Sequence, residues 1–496
     1  MKPNADIAAE TLTDILAHGT RNFIVCAGAR NAPLVVPLLK LDSQDGIKIW
    51  HHFDERAASF FALGLAKRRL EPVCVVTTSG TAVAELLPAA IESYYSGVPL
   101  ILLTADRPDR FRGSGAPQAI EQVGIFSGYA ARNFNEWNHE SPLHLNVSFE
   151  EPLFDEGRDD CPQSSAKNSA KASAHLASAD GLRGRLGTTV PTQSLDENAV
   201  ILVGELLENE REPVANFLRS SSLPVWCEAI SGLREISGAN HIRGGDAALA
   251  EMEIGNVLRI GGVPSLRFWR DLETLEAIQV TSTSRTGFPG LARTEGVTNQ
   301  QSKFDEHTLL DREKRSSERE QAVPQPLPPL LAHARCYVLN SEELAVRELS
   351  ERIPSEALIF LGNSLPIREW NAVATTEIAH PNVFANRGAN GIDGEISTFL
   401  GLAQDFSGNE CWGIFGDLTT LYDMNAPWIY DQLDAEKRIR IVVINNGGGK
   451  IFSKLPGLKD LPDDEKKVTE NWHGFDFKKW AELWPRVEVE VIDVRD

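Results

Sequence analysis

Residues 72–105 read PVCVVTTSGTAVAELLPAAIESYYSGVPLILLTA and contain two short apolar runs with a longer stretch of mixed polarity between them. The runs Pro72–Thr78 and Pro99–Ala105 predict buried strands, and Thr81–Ser96 predicts a helix. Nearly continuous apolar strands joined by a helix are typical of a parallel sheet that is covered on both faces. The segment therefore predicts an α/β fold.

The same alternation begins further upstream, at Asn22, and defines a first domain over residues 1–154. Its other predicted elements are strands Phe23–Ala27 and Ile47–His52 and helices Asn31–Lys40 and Glu55–Arg69.

A smaller α/β unit is predicted over residues 198–299, between two linkers. Residues 155–197 are rich in Ser, Ala, Lys, Asp and Gly without sustained periodicity, and 300–330 are charged and then proline-rich. Both compositions are typical of connecting segments. The elements predicted between them are strands Ala199–Val203, Pro224–Glu228 and Val257–Ile260 and helix Ser265–Leu275.

The alternation returns in a third domain, residues 331–496. We therefore predict three doubly wound, mainly parallel-sheet α/β domains, whose ligands bind beyond the carboxyl ends of the strands. The predicted elements are strands Ala357–Gly362, Val383–Asn386, Cys411–Phe415 and Ile439–Asn445 and helices Gly394–Gln404 and Tyr422–Leu433.

Composition excludes several classes of function. A formal net charge of -21 argues against a nucleic-acid partner, because phosphate backbones are bound by clustered positive charge. The longest apolar runs are far shorter than the roughly 20 residues that cross a bilayer, and the first ten residues lack a signal pattern, so we expect a cytoplasmic protein without membrane insertion. The spacing of the six cysteines indicates neither a zinc site nor a disulfide framework: Cys26, Cys74, Cys161, Cys227, Cys336 and Cys411.

Two polar loops follow neighbouring predicted strands of the third domain. Gly416-Asp417-Leu418 comes after one strand, and the run Asn445-Asn446-Gly447-Gly448-Gly449 comes about 30 residues later, after the next. A carboxylate, an amide oxygen and a backbone carbonyl suit Mg²⁺ bound to a diphosphate, and glycine lets the backbone approach phosphates closely. Taken singly, each loop could equally be a helix cap or a chain turn.

The spacing and strand context of these loops resemble the thiamine-diphosphate motif. The resemblance implies that Asp417, Asn446 and the Gly448 carbonyl bind Mg²⁺, with Mn²⁺ as an alternative ion. It also places Gly416, Leu418 and Gly449 against the cofactor. Leu418 departs from the wider superfamily, which usually has glycine there.

Further pieces make the resemblance specific. DERAASFFALGLAK (54–67), TTSGTAVAELLPA (77–89), LTADRP (103–108) and GAPQ (115–118) lie in the first domain. Similar matches are CAGARNAPL, LGNSLPIRE, ANRGANGIDG, GDLTTLYDMN and NNGGGKIFSKLP. Together they resemble the 2-succinyl-5-enolpyruvyl-6-hydroxy-3-cyclohexene-1-carboxylate (SEPHCHC) synthase family of thiamine-diphosphate-dependent enzymes.

This resemblance implies an enzyme, a transferase of menaquinone biosynthesis. Its reaction would be decarboxylation of 2-oxoglutarate and addition of the resulting succinic semialdehyde carbanion to isochorismate. Residues 1–154 would bind the cofactor's pyrimidine, where Glu55 favours the reactive tautomer, and 331–496 would bind the diphosphate and metal ion. Ile392 would support the bent cofactor. Active sites would lie between the subunits of a homodimer or homotetramer.

The two implied substrates carry four carboxylates, for which arginine's planar fork is well suited. The resemblance assigns catalytic and substrate-binding roles to Arg30 and Gln118, and substrate binding to a further set. Any one arginine, taken alone, is better explained by a surface salt bridge, but four of them lie inside family motifs at loop positions. Ala29 and Ala27 stand where relatives commonly have serine and proline. Loss of the serine hydroxyl at Ala29 predicts weakened binding or a backbone group that takes its place. The further set is Arg107, Ser364, Arg368, Arg387, Arg267, Ile451 and Phe452.

Three alternatives stay open at this point. The chain could be another thiamine-diphosphate-dependent 2-oxoacid decarboxylase or carboligase, or a non-catalytic binding protein that keeps the scaffold. An ordinary dinucleotide-binding protein is the third, although no G-x-G-x-x-G opens a helix after a suitable strand of the first domain.

Overall fold

The structure, a computed structural model, describes residues 2–154 except 43 and 45, 198–272, 278–282, and 339–495 except 456. Both predicted linkers, 155–197 and 300–330, lie outside the described residues. Within the described ranges no helix combines the length and apolar character needed to span a membrane.

The first domain is a five-stranded parallel sheet with the order β2-β1-β3-β4-β5. Its strands are β1 (Asn22–Val25), β2 (Lys48–His51), β3 (Val73–Thr77), β4 (Leu100–Asp106) and β5 (Leu143–Ser148). Its helices are α1 (Asn4–Ala17), α2 (Ala32–Leu39), α3 (Glu55–Lys67), α4 (Thr81–Ala84) and α5 (Leu87–Ser96). Every residue of β3 and β4 is buried, as expected for central strands covered on both faces.

The single helix predicted over Thr81–Ser96 is wrong, because the chain forms two helices there. α4 ends at Ala84 and α5 starts at Leu87. Pro88 explains the break, since it has no N–H to donate to the Ala84 carbonyl and its ring crowds that oxygen.

The middle domain is a four-stranded parallel sheet with the order β7-β6-β8-β9. The predicted helix Ser265–Leu275 is described only in its first half, since 273–277 lie outside the described residues. The strands are β6 (Ala199–Val203), β7 (Val225–Cys227), β8 (Asn256–Ile260) and β9 (Gln279–Ser282), and the helices are α6 (Glu208–Ser220), α7 (Gly245–Ala250) and α8 (Arg267–Asp271).

The third domain is a five-stranded parallel sheet with the order β11-β10-β12-β13-β14. The fold class expected from the sequence, three parallel-sheet α/β domains, is thereby confirmed. The strands are β10 (Leu358–Leu361), β11 (Val383–Phe384), β12 (Glu410–Gly416), β13 (Arg438–Asn445) and β14 (Glu488–Asp493). The helices are α9 (Ser341–Arg352), α10 (Leu365–Val373), α11 (Glu395–Asp405), α12 (Asp417–Tyr422), α13 (Asp463–Thr469) and α14 (Phe477–Glu482).

The helix predicted over Tyr422–Leu433 is also wrong. α12 ends at Tyr422, and Ala426–Gln432 forms a 3₁₀ helix instead. Pro427 cannot donate to the carbonyl of Asp423, so an α-helix cannot run through this point, and the Asp423 carbonyl accepts from Ala426 in a shorter turn.

The first and third domains pack through α3 and α11. A side chain at Gly64 would overlap the carbonyl oxygen of Thr398, and one at Gly401 would overlap the carbonyl oxygen of Phe61. The two helix backbones are therefore in direct contact. At one end of this packing Arg56 Nη2 donates to the Tyr422 carbonyl at 2.8 Å, which holds the start of α3 beside the end of α12.

Candidate active site

The two polar loops of the third domain meet at the carboxyl ends of the adjacent strands β12 and β13. Asp417 begins α12, and its carboxylate binds both loops. Oδ2 accepts from the N–H groups of Gly447 at 2.7 Å and Gly448 at 2.9 Å, while Oδ1 accepts from Leu418 at 2.6 Å. The side chain is almost fully buried, and burial raises the pKa of Asp417. The structure thus brings together the residues predicted to bind the metal ion and the diphosphate.

Asn446 and Gly448 complete this group. Asn446 Nδ2 donates to both carboxylate oxygens of Glu342 at 3.2 Å, which leaves its Oδ1 on the side of Gly448. Gly448 has φ +149°, and a Cβ there would lie 2.5 Å from the carbonyl oxygen of Glu470, so only glycine fits. Carboxylate, amide and carbonyl oxygens are the ligands that a hard divalent ion prefers, and glycine backbone lets a diphosphate approach closely.

His473 is a member of this site that the sequence did not reveal. Its Nε2 lies 3.2 Å from Asp417 Oδ2. The histidine comes 56 positions after Asp417 in the chain, in the segment ENWHGF, which has no motif of its own. Only the folded structure places it against the predicted metal ligand.

Glu55 lies at the first turn of α3, where the preceding residue caps the helix. Asp54 Oδ1 accepts from the N–H of Ala57 at 3.0 Å. Glu55 is half-buried, and burial, followed by the charges of Asp54 and Glu85, raises its pKa. A carboxyl group in this state can hold a proton more readily than an exposed glutamate.

The neighbouring histidines His51 and His52 both make hydrogen bonds within the fold. His52 is buried, its Nδ1 accepts from the N–H of Asp54 at 3.0 Å, and burial lowers its pKa to about 4. It is therefore neutral near pH 7. The backbone of His51 exchanges two hydrogen bonds with the side chain of Gln432 in the third domain.

Arg107 and Gln118 belong to one loop after β4. The buried Asp106 organises this loop, because its carboxylate accepts from Arg107 N–H at 2.7 Å and from Arg112 Nη2 at 3.1 Å. Arg107 Nε donates to the carbonyl of Pro117 at 2.8 Å, which brings the guanidinium to the backbone beside Gln118. Gln118 itself has φ +55°, a strained conformation of the kind that collects at functional sites.

Ser364, Arg368 and Arg387 come together where β10 and β11 end. Arg368 Nη1 donates to the carbonyl of Ser364, whose φ of +71° marks a strained turn into α10. Arg387 Nη1 donates to Asn363 Oδ1 at 3.0 Å, and in the part of the chain described its buried Nε has no partner. Burial and the positive charge of Arg387 lower the pKa of Arg368. Arg368 and Arg387, the arginine pair, carry the planar donor groups that suit carboxylates.

The middle domain places a buried carboxylate near the arginine pair, and the sequence did not reveal this residue. Glu228, directly after β7, is completely buried, and Ser265 N–H donates to its Oε1 at 3.3 Å. Burial raises its pKa, and the charge of Arg387 opposes that effect. Arg267, by contrast, pairs with Asp271 on its own helix at 3.4 Å.

Comparison with known proteins identifies the family. Residues 5–125 match the family described as "Thiamine pyrophosphate enzyme, N-terminal TPP binding domain". A SEPHCHC synthase of Bdellovibrio bacteriovorus is 40% identical, over 97% of this chain and 91% of that protein. Those of Akkermansia muciniphila and Staphylococcus epidermidis are 39% and 32% identical, over 98% and 95% of this chain. The chain belongs to the SEPHCHC synthase family.

A solved structure agrees with this family's fold. A thiamine diphosphate-dependent 4-hydroxybenzoylformate decarboxylase from Rhodococcus jostii matches with a TM-score of 0.59 and 15% identity, over 100% of this chain and 99% of that one. At such low identity the likeness concerns the fold alone.

The other predicted site residues of this SEPHCHC synthase family member are Arg30, Ile451, Phe452 and Ile392. Arg30 is buried, with Nη2 2.5 Å from Glu151 Oε1 and Nη1 donating to the Phe149 carbonyl at 3.2 Å, so its guanidinium already has partners. Ile451 is half-buried and Phe452 exposed, beside the glycine loop. Ile392 is half-buried before α11. Their roles stay predictions.

Proposed function

We propose that the protein is a thiamine-diphosphate-dependent SEPHCHC synthase of menaquinone biosynthesis. It decarboxylates 2-oxoglutarate and joins the remaining four-carbon unit to isochorismate. The observation that carries the proposal is the meeting of Asp417, Asn446 and Gly448 at adjacent strand ends, in a chain 40% identical to a SEPHCHC synthase over 97% of its length.

The third domain would hold the metal ion and the diphosphate. Asp417, Asn446 and the Gly448 carbonyl would bind Mg²⁺, for which Mn²⁺ can substitute, and Gly416, Leu418 and Gly449 would line the cofactor. When bound, thiamine diphosphate supplies the nucleophilic carbon and the electron sink of the reaction. Glu55 would hold a proton against the pyrimidine ring nitrogen, a task that its raised pKa supports.

The arginines would bind and orient the substrates. Arg368 and Arg387 provide adjacent guanidinium groups, and Arg107 provides another on a loop fixed by Asp106. Four substrate carboxylates in a partly buried site need such cationic donors, and bidentate pairing also fixes the direction of each carboxylate. Gln118 and Ser364 would donate neutral hydrogen bonds, and Arg30 would join them by exchanging Glu151 for substrate.

We also propose a cytoplasmic homodimer or homotetramer with active sites between subunits. Exposed aromatic side chains lie next to Glu55: Phe53 is 56% exposed, Trp428 47% and Tyr422 55%. The rings of Phe53 and Trp428 touch edge to face, with centroids 4.9 Å apart. A cluster of exposed aromatic side chains favours a protein interface at this place.

Product analysis tests the proposal. The protein is mixed with thiamine diphosphate, Mg²⁺, 2-oxoglutarate and isochorismate, and the product is identified by mass spectrometry. The expected product has the mass of the SEPHCHC adduct and requires both substrates. Release of free succinic semialdehyde regardless of isochorismate would replace the proposal with a simple decarboxylase, and cofactor binding without turnover would replace it with a binding protein.

A further inference from the structure

A buried glutamate of the first domain binds the loop that carries Arg387. Glu92 lies in α5 and is 3% exposed. Its Oε1 accepts from the N–H of Gly388 at 2.8 Å, and its Oε2 accepts from the N–H of Ala389 at 2.6 Å. These are the two residues that follow Arg387. Each carboxylate oxygen of Glu92 therefore accepts one backbone N–H of the loop that carries Arg387.

The loop also lies directly against the helix backbone. A Cβ on Gly388 would be 2.6 Å from the carbonyl oxygen of Glu92 and 3.0 Å from the nitrogen of Ser96. Glycine is needed here because any side chain would push the loop away from α5. The hydrogen bonds of Glu92 and the close approach at Gly388 are two independent features that set the same position.

The surroundings of Glu92 act on the pKa of its carboxyl group in opposite directions. Burial raises the pKa of Glu92, while the buried ammonium group of Lys67 and the two loop N–H groups act in the opposite direction. Lys67 Nζ is itself 3.6 Å from Glu205 Oε1 of the middle domain. A charged acceptor with two N–H donors makes stronger hydrogen bonds than a neutral one.

We infer that Glu92 is a positioning residue for substrate recognition: it holds the 387–389 loop so that the Arg387 guanidinium stays beside Asn363 and Arg368. The inference rests on the proposed function, in which Arg387 binds substrate. Arg387 is then fixed on two sides, by Asn363 through its side chain and by Glu92 through the next two backbone N–H groups. The first domain of a chain thus sets the substrate affinity of its third domain.

Glu92→Gln tests this role. Glutamine keeps one acceptor, but its NH₂ group opposes the second loop N–H. We expect KM for the substrate bound by Arg387 to rise roughly 10-fold or more, as for loss of a charged hydrogen bond. The kcat value should change much less, and the affinity for thiamine diphosphate about twofold at most. An equal loss of cofactor and substrate affinity would indicate a purely structural role and overturn the inference.

A double variant separates Glu92 from other causes. If Glu92 acts through Arg387, then Glu92→Gln should add little to the KM of Arg387→Ala. Additive effects of the two substitutions would overturn the positioning role and leave the proposed function standing. An unchanged KM in Arg387→Ala would instead overturn both the substrate role of Arg387 and the inference.

A matched control and a second variant exclude a simple folding defect. Glu235 is also a nearly buried glutamate that accepts a third-domain N–H, that of His380 at 3.4 Å, but at the opposite end of β11. Glu235→Gln should leave KM unchanged.

If Glu92→Gln fails to fold, Gly388→Ala tests the same contact, and an unchanged KM in that variant would overturn the inference.

Discussion

Glu55 and Asp417 both begin a helix in a parallel-sheet domain, yet their surroundings suit them to different tasks. Asp417 accepts three backbone N–H groups from its own and the neighbouring loop, which orients its oxygens and opposes the rise that burial causes in its pKa. Glu55 instead has the negative charges of Asp54 and Glu85 nearby, and its pKa is raised. The first arrangement suits metal binding, and the second suits a shared proton.

Glu55→Gln is expected to lower kcat by roughly 10²-fold to 10⁴-fold, the usual range for loss of a proton-transferring group. The helix cap belongs to Asp54, so the variant should fold and melt like the wild type. Steady-state rates and thermal unfolding measure the two effects. Glu71→Gln, an exposed glutamate beyond the other end of α3, is the control and should keep full activity. A rate near the wild-type value in Glu55→Gln would rule out the proposed role.

At this scale the sequence predicts residues that belong to contiguous motifs. It misses residues that only the fold brings to the site, whether from the same domain, as for His473, or from another. Asp417 and Asn446 were predictable because each directly follows an apolar strand, and parallel strands end at one edge of the sheet. In the sequence, Glu92 and Glu228 each stand next to apolar residues. Their partners, Gly388 and Arg387, are far away in the chain and in another domain. No local pattern encodes such contacts.

Among the secondary-structure elements, the buried strands were the most predictable, because β4 and β13 are runs of apolar residues bounded by polar ones. The helix ends were less predictable, since single prolines divided the expected helices at Pro88 and Pro427. The contact between α3 and α11 was not predictable from the sequence. A glycine inside a helix normally lowers helix stability, and only the structure shows that Gly64 and Gly401 let the two backbones touch.

Gly64→Ala is expected to separate these helices. The added methyl group would overlap the Thr398 carbonyl, a backbone atom that cannot move without shifting α11. Overpacking of this kind costs about 1–3 kcal/mol of unfolding free energy, which a urea titration measures. Gly128→Ala, where nothing lies within 4 Å of the new Cβ, is the control. Equal urea midpoints for the two variants would refute the direct backbone contact.

The start of α11 makes stability depend on pH. Asp423 is completely buried, accepts from Ser397 N–H at 2.7 Å and Ser397 Oγ–H at 3.1 Å, and burial raises its pKa to about 6. A carboxyl group whose pKa is higher in the folded protein than in the unfolded chain stabilises the fold at low pH. That contribution is lost as pH rises through about 6.

Asp423→Asn should remove this pH dependence. The amide oxygen can still accept from Ser397 N–H, and the amide nitrogen can donate to the Ser397 hydroxyl oxygen. Relative to the wild type, the variant should gain roughly 1 kcal/mol of unfolding free energy between about pH 5 and pH 8. Urea titrations at both pH values measure the gain. Parallel pH profiles for the two proteins would contradict a raised pKa at Asp423.

At the scale of the whole molecule, the three domains have the same parallel-sheet architecture but contribute differently to the candidate site. The first and third sheets have five strands each, and their domains are joined through α3 and α11. The middle domain, with its four-stranded sheet, places Glu228 near Arg387. Residues of all three domains therefore surround Arg387 and the loop that carries it. The exposed aromatic side chains around Glu55 remain available to a second copy.

Mixed dimers test whether Glu55 of one subunit serves Asp417 of another. A Glu55→Gln chain and an Asp417→Asn chain, carrying different tags, are co-expressed, and the mixed species is purified through both tags. If active sites lie between subunits, one of the two sites in each mixed dimer combines both intact residues, while the other carries both substitutions. The mixed dimer should therefore have about half of the wild-type kcat per dimer, because a two-fold axis creates two equivalent interfaces. The two single-variant dimers are the controls and should be nearly inactive. If the mixed dimer is as inactive as they are, the two carboxylates act within one chain, and the exposed aromatic cluster needs another explanation.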